Sequence, residues 1–456
     1  MATEIISSEL DMSAKVHNHS TVIYRNISPQ GSNSVTLASS LVGPVEFVIA
    51  PSCFNGAKSR LNFQINLTTA GTKFNFINAN TFCSIGRMTA YDSASGSILM
   101  DISNFEKYAQ LIIPASTDIE DFLSKSNAIA IPAATSAAST PFAVEDLTRV
   151  NGTTNLDSAG ASVAAYNGFT GKREFYLGAA GVAILDVSLP LGAIKFAAPF
   201  VDKLAYSPSN IVLQVYFNSV DQFLIVSNSA TDPSAATQTS AAGTIQNISL
   251  SLANEGNLAI VSQVIGKVMS GGVNLTVPYS TCIRQAVANT TSVSYQLSLS
   301  KAYGNRLLLL ATGQFTPNQG GTTAASAFIS RNNYHPRGDL TTYNTFLNGV
   351  AIKYPAGFDC SKSQDYTLAN KEYLKRSVIQ TAGEYLLSNW GHYDVWIGEK
   401  PLCEVDPTVV DGLDISSQNS TWSIQATLST ASTATFVNVL VGQKVMSLTS
   451  AGIQMS

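Results

Sequence analysis

Tyr343-Asn344-Thr345-Phe346-Leu347-Asn348-Gly349-Val350-Ala351-Ile352-Lys353-Tyr354-Pro355 is two apolar segments joined by Asn-Gly and closed by a proline. Both central residues of a type I′ turn need φ > 0, which Asn and Gly adopt most readily, so the stretch predicts a β-hairpin. Downstream, Leu374, Val378 and Ala382 recur at helical spacing and predict a helix over 366–382, ended by Gly383. His392-Tyr393-Asp394-Val395-Trp396-Ile397-Gly398 then reads as a strand. A hairpin, a covering helix and a further strand are the parts of one flank of a β-sandwich.

The rest of the chain repeats the strand pattern. Val45-Glu46-Phe47-Val48-Ile49 opens it and Pro51 stops it, and Asn55-Gly56 reads as a turn. Leu61, Phe63, Ile65 and Leu67 alternate with Asn62, Gln64 and Asn66, the period of a half-buried strand. Strands are predicted at 85–91 and 97–102 around a loop at 92–96, followed by a short helix at 104–111. Further strands fall at 173–177, 182–189, 211–217 and 245–252. Residues 115–170 read as an elaborated loop and 226–243 as a low-complexity surface loop.

After a partly helical connector at 254–270, the plan recurs. Val273-Asn274-Leu275-Thr276-Val277-Pro278 resembles the opening strand. Val293, Tyr295, Leu297 and Leu299 alternate, as do Trp422, Ile424, Ala426 and Leu428. Residues 307–311 form a short continuous apolar run, 315–340 a loop, and 436–448 the last strands. Each half offers about eight strands, the number in a jelly roll. The expectation is an all-β chain of two consecutive eight-stranded jelly-roll β-sandwiches with a few short helices in connections. Its parts are an N-terminal arm at 1–40, a first jelly roll at 41–253 and a second at 254–456. The arm is polar and is expected to order on a partner.

Composition narrows the function. Of 456 residues, 45% are apolar but only 12% charged, about half the usual share. Exposed charge opposes association, so a charge-poor surface points to burial against neighbouring subunits. Net charge is −4 and no basic cluster exists, which argues against a grip on nucleic-acid phosphates and against sequence-specific nucleic-acid binding. Five scattered cysteines (Cys53, Cys83, Cys282, Cys360, Cys403) form no CxxC pair and read as buried thiols of a chain assembled in a reducing compartment. The first residues lack the basic and apolar regions of a secretory signal, and no apolar run reaches the roughly 18 residues of a membrane span.

Catalytic patterns are missing. The four histidines, His17, His19, His335 and His392, sit in no metal or nucleophile motif, and no cofactor fingerprint occurs. Paired carboxylates for glycan cleavage have candidates in Asp118 with Glu120 and Asp121, and in Glu404 with Asp406, but proximity in sequence does not make two groups converge. Trp390, Trp396 and Trp422 are the only tryptophans, and the last two read as core residues of strands. Arg337-Gly338-Asp339 spells an adhesion tripeptide, although His335-Pro336 before it also makes an ordinary turn. Asn-x-Ser/Thr triplets such as Asn66-Leu67-Thr68 follow from the abundance of those residues.

Four places together carry a resemblance. They are Phe47-Val48-Ile49-Ala50-Pro51 leading to Lys58-Ser59-Arg60-Leu61-Asn62-Phe63, Ile85-Gly86-Arg87 through Asn104-Phe105-Glu106-Lys107-Tyr108, Leu189-Pro190 to Pro199-Phe200 with Asn210-Ile211-Val212-Leu213, and the stretch from Asn344 to Leu402. In this order they resemble the double jelly-roll major capsid proteins, the lineage of the adenovirus hexon, tectivirus coat, giant-virus capsids, virophages and polinton-like viruses. The likeness runs from about residue 41 to 449, without the tower insertions of the hexon. It implies a non-enzymatic virion protein, assembled inside the host cell, that forms pseudo-hexameric homotrimers tiling an icosahedral shell. It also implies capsomer–capsomer contacts, penton and minor capsid proteins as partners, and an internal membrane as a further candidate. Long loops would form the outer crown, and no cofactor is implied. The rival readings are a carbohydrate-binding or glycan-cleaving β-sandwich protein, and a viral spike or penton adhesin acting through Arg337, Gly338 and Asp339.

Overall fold

The computed structural model describes residues 20–37, 40–67, 73–76, 81–116, 127–132, 143–144, 173–176, 183–194, 199–200, 204–227, 242–315, 340–351, 358–359, 413–415 and 420–456. The chain is all-β, as expected, with antiparallel ladders joined by a few short helices. In the first half one sheet runs in the order Val22–Ile27, Gly243–Glu255, Ser52–Leu67, Ala183–Pro190, Asn127–Pro132. A second sheet runs Val42–Ile49, Ile211–Phe217, Ile85–Asp92, Ile98–Ser103. Alternation faces the two sheets towards one core. Leu61, Phe63 and Ile65 from the first meet Leu213, Val215 and Phe217 from the second, all buried. The Phe63 and Phe217 rings cross edge to face at 5.2 Å, a favoured aromatic geometry.

Helix Phe105–Ser116 buries Phe105, Tyr108, Ala109, Ile112 and Ile113 against this core. Helix Leu258–Gly271 fills the predicted connector. Asn257 caps it by accepting from the Ala259 N–H at 3.0 Å, and Ile260, Val264 and Val268 form the buried stripe.

The second half is organised on the strand Ser420–Thr449, paired along its length with Val273–Leu299. Arg306–Phe315 adds on its other side near 435–443, and Leu340–Leu347 near 422–428. The middle of this spine is buried on both faces. Val437, Val439 and Val441 join the first-half cluster, while Phe436 and Leu440 join a second cluster with Trp422, Ile424 and Leu428. The first-half cluster therefore continues into the second half of the sequence, taking in Val273, Leu275, Val277, Met446, Leu448 and Ile453.

The Asn-Gly hairpin forms as read. Asn348 has φ 51° and Gly349 φ 81°, and the strands Leu340–Leu347 and Val350–Ala351 pair across them. Asn348 also ties the turn to the spine, donating its N–H to the Thr421 carbonyl at 2.8 Å and accepting the Thr421 N–H at 2.9 Å. The helix at 366–382 and the strand at 392–398 lie outside the described residues.

Two readings are corrected and one is extended. Asn55-Gly56 is no turn: Ser52–Leu67 runs straight through it. Glycine is needed there because a Cβ would lie 2.2 Å from the Pro199 carbonyl oxygen. Val273–Pro278 is strand as read, and it continues without a break as the start of the ladder Val273–Leu299. Pro278 sits opposite Gln443 on a strand that, among the described residues, is paired on one side only, where a missing N–H is tolerated. Part of the arm needs no outside partner: Val22–Ile27 pairs with Glu255 through Leu250 on the chain's own sheet.

The two-faced spine makes a direct prediction. In a strand with one solvated face, one of two adjacent truncations is tolerated. Here Val439→Ala and Leu440→Ala are each expected to lower the unfolding free energy by about 2–4 kcal/mol, read from urea denaturation. A near-neutral result for either would contradict burial on both faces.

Candidate functional site

The outward side chains of the first sheet form a hydrogen-bonded lattice. Because Leu61, Phe63 and Ile65 point inward, Arg60, Asn62 and Gln64 point out. The Ser188 hydroxyl donates to Asn62 Oδ1 at 2.6 Å, Asn62 Nδ2 donates to Ser251 Oγ at 2.8 Å, and Ser251 Oγ donates to Asn26 Oδ1 at 2.6 Å. Arg60 Nε closes one end on Ser188 Oγ at 2.7 Å. A second row runs from Asn247 Nδ2 to Gln64 Oε1 at 2.5 Å and from Gln64 Nε2 to Asp186 Oδ1 at 2.6 Å. Between the rows lies a shallow groove of about 360 Å³, lined by Asn62, Phe63, Gln64, Asp186, Val187, Ser188 and Asn247.

This groove is poorly equipped for catalysis. It holds one carboxylate, Asp186, already engaged by Gln64, where glycan cleavage by the usual route needs two. No nucleophile stands beside a base in it. Amides and hydroxyls bond one another across four strands of this face, and its charged groups Arg60 and Asp186 are each held by a neighbouring polar side chain. That is a surface chemistry suited to packing.

A second polar cluster joins the first half of the chain to its C-terminal strand. The turn after Asp92 receives the C-terminal strand Gly452–Met455: Ser95 Oγ donates to the Ile453 carbonyl and the Met455 N–H donates to Ser97 Oγ at 3.0 Å. Asp92 holds the turn, accepting from the Ser95 N–H at 2.8 Å and from the Ser209 hydroxyl. Burial pushes the Asp92 carboxyl up, but the hydrogen bonds from Ser209 and Ser95 outweigh it and leave the group below the ordinary carboxylate range.

Of the residues singled out from sequence, Trp422 is in the core as expected, 1% exposed. Cys53, Cys83 and Cys282 are buried and in no disulfide, and Cys360 and Cys403 lie outside the described residues. Arg337, Gly338 and Asp339 lie outside them too, as do all four histidines, Asp118, Glu120, Asp121, Glu404, Asp406, Trp390 and Trp396. Among the described residues no group of three or more His, Cys, Asp or Glu is placed to hold a metal ion, and no helix is long and apolar enough to cross a membrane. Sequence alternation had pointed Asn62 and Gln64 outward. Their partners, 122 to 189 residues away, carried no local signal.

No protein-family model and no curated protein matches the chain. Solved structures do. A chain of the Sputnik virophage, determined by cryo-electron microscopy, is 12% identical with a TM-score of 0.53, over 98% of this chain and 90% of that one. The PBCV-1 virus capsid is 11% identical with a TM-score of 0.51, over 98% of both chains. The Faustovirus major capsid protein is 10% identical with a TM-score of 0.54, over 95% and 92%. The fold is that of viral coat proteins. It is the double jelly roll of major capsid proteins, spread over nearly the whole chain.

The Asp92 geometry predicts an acid response. A lowered carboxyl contributes stability that is complete above its ordinary titration range and is lost as pH falls through its folded-state value. Asp92→Asn is expected to cost roughly 2 kcal/mol at pH 7. Urea midpoints of wild type and variant should converge as the pH is lowered below the ordinary Asp range, and a constant gap would refute the assignment.

Proposed function

We propose that the chain is a viral major capsid protein that self-associates as pseudo-hexameric homotrimers and builds an icosahedral shell. The observation that carries this reading is the reach of the fold match, almost end to end in both this chain and the coat proteins. The low charge content and the self-satisfied outer face of the first sheet support it, since large interfaces form most readily where few charges must be stripped of water. In this reading residues 41–253 and 254–456 are the two jelly rolls and 1–40 is an arm. The chain is a building block and not an enzyme. Its partners are copies of itself, then penton and minor capsid proteins, with an internal membrane as a further candidate on its inner side.

The purified chain is expected to sediment at three times its 48.2 kDa mass. Electron microscopy should show threefold bodies with a hexagonal outline. A species that stays monomeric at high concentration, with no such bodies, would overturn the reading.

A further inference from the structure

Val22–Ile27 is a strand fastened along one edge and open along the other. It pairs with residues 250–255 in unbroken register, and among the described residues no strand pairs its other edge. Its start is clamped. Ser20 Oγ donates to Glu255 Oε2, the Thr21 N–H donates to Glu255 Oε1 at 2.9 Å, and the Gly256 N–H donates to the Thr21 carbonyl at 2.6 Å. Open edges are normally guarded by lysine, proline or a bulge, because their unpaired N–H and C=O groups invite another strand. Val-Ile-Tyr-Arg-Asn-Ile has none of these guards. It exposes Ile23 by 55% and Tyr24 by 57%, one on each face. Tyr24 shares the face of Asn26, which accepts the Ser251 hydroxyl of the outer lattice, and Ile23 shares the face of Arg25 and of Ile27, which packs on the core.

We propose that this edge pairs with the same edge of a second copy, antiparallel about a twofold axis, so that two sheets become one. The segment is self-complementary for that contact. Under a twofold axis normal to the sheet, opposed residues share a face, so the register centres on a single residue. Centred on Arg25, two guanidiniums would face each other and repel. Centred on Tyr24, two Tyr24 rings meet on one face, an aromatic cross-strand pair. On the other face each Ile23 opposes the partner's Arg25, whose apolar stem covers it, and the two Ile23 side chains are diagonal neighbours. Main-chain hydrogen bonds supply the affinity, and these side-chain pairs set the register. The contact is twofold and separate from the threefold contact of a capsomer, so it holds for free chains and between capsomers alike.

Directly opposed Cβ atoms lie about 4.5–5.5 Å apart, close to disulfide reach. Tyr24→Cys in the full chain, oxidised with copper–phenanthroline, should therefore give a covalent dimer on a non-reducing gel where the wild type gives none. Asn26→Cys, on the same face but offset from its own copy by about 14 Å along the strand, should not. Ile23→Lys changes an exposed side chain and sets a lysine against the partner's Arg25. It should weaken the pairing at least tenfold, read by sedimentation as loss of the species with twice the mass of the unit that pairs. Whether that unit is one chain or three tests the capsomer reading separately. A Tyr24→Cys chain that stays uncross-linked, as it would if residues 1–19 of its own chain covered the edge, overturns the proposal. So does equal cross-linking of Asn26→Cys, or undiminished pairing in Ile23→Lys.

Discussion

The constraint on which the structure depends is one short segment of strand, Phe436-Val437-Asn438-Val439-Leu440-Val441, buried on both faces. Its valines complete the core of the first sandwich, and Phe436 and Leu440 anchor the core of the second sheet. Because side chains alternate with period two, a slip by one residue would exchange every partner. Asn438 makes that slip costly. It is fully buried, accepts the Tyr295 hydroxyl at 2.8 Å, and would be driven without this partner into an apolar cluster. A single polar residue among five apolar ones thus sets the register of the strand that both clusters share.

Around this shared wall the molecule keeps its charge low. The first sheet turns an amide and hydroxyl lattice outward, and the lattice satisfies itself across Asn26, Ser251, Asn62 and Ser188. Such a face loses little on meeting another surface, which is the energetic condition for building large assemblies from repeated contacts. Among the described residues the most exposed large apolar side chains are Leu258 at the start of its helix and Val350 at the hairpin. Single exposed side chains of this kind are ordinary in folded proteins.

Two buried carboxyls of the first half are shifted in opposite directions. Asp92 is buried but surrounded by donors, and its charged form is the folded form. Glu106 is buried too, and there desolvation outweighs Lys107, a backbone hydrogen bond at Glu106 and Arg284, so its carboxyl is pushed above the ordinary range. Hydrogen-bond supply, not burial alone, decides the direction in which each is pushed.

The hairpin at Asn348-Gly349, the alternating strands at Leu61–Ile65 and Trp422–Leu428, and the helices after Asn104 and Asn257 were legible because their signals are local: φ preference, period two and helical spacing. So was the all-β class. Asn55-Gly56 misled because the same dipeptide serves a turn or a close backbone approach, and only the position of Pro199 tells which. Pro278 is accommodated because a proline breaks a central strand but not an open edge, and edge position is a property of the sheet. The sequence by itself therefore determined which segments become strands and which of their faces turn inward. Tertiary structure alone decided that Val273–Leu299 and Ser420–Thr449 form one long ladder, that the spine serves two cores, and that Asn62 finds Ser188 and Ser251. These are pairings between residues far apart in the chain, and such pairings leave no periodic trace in either partner.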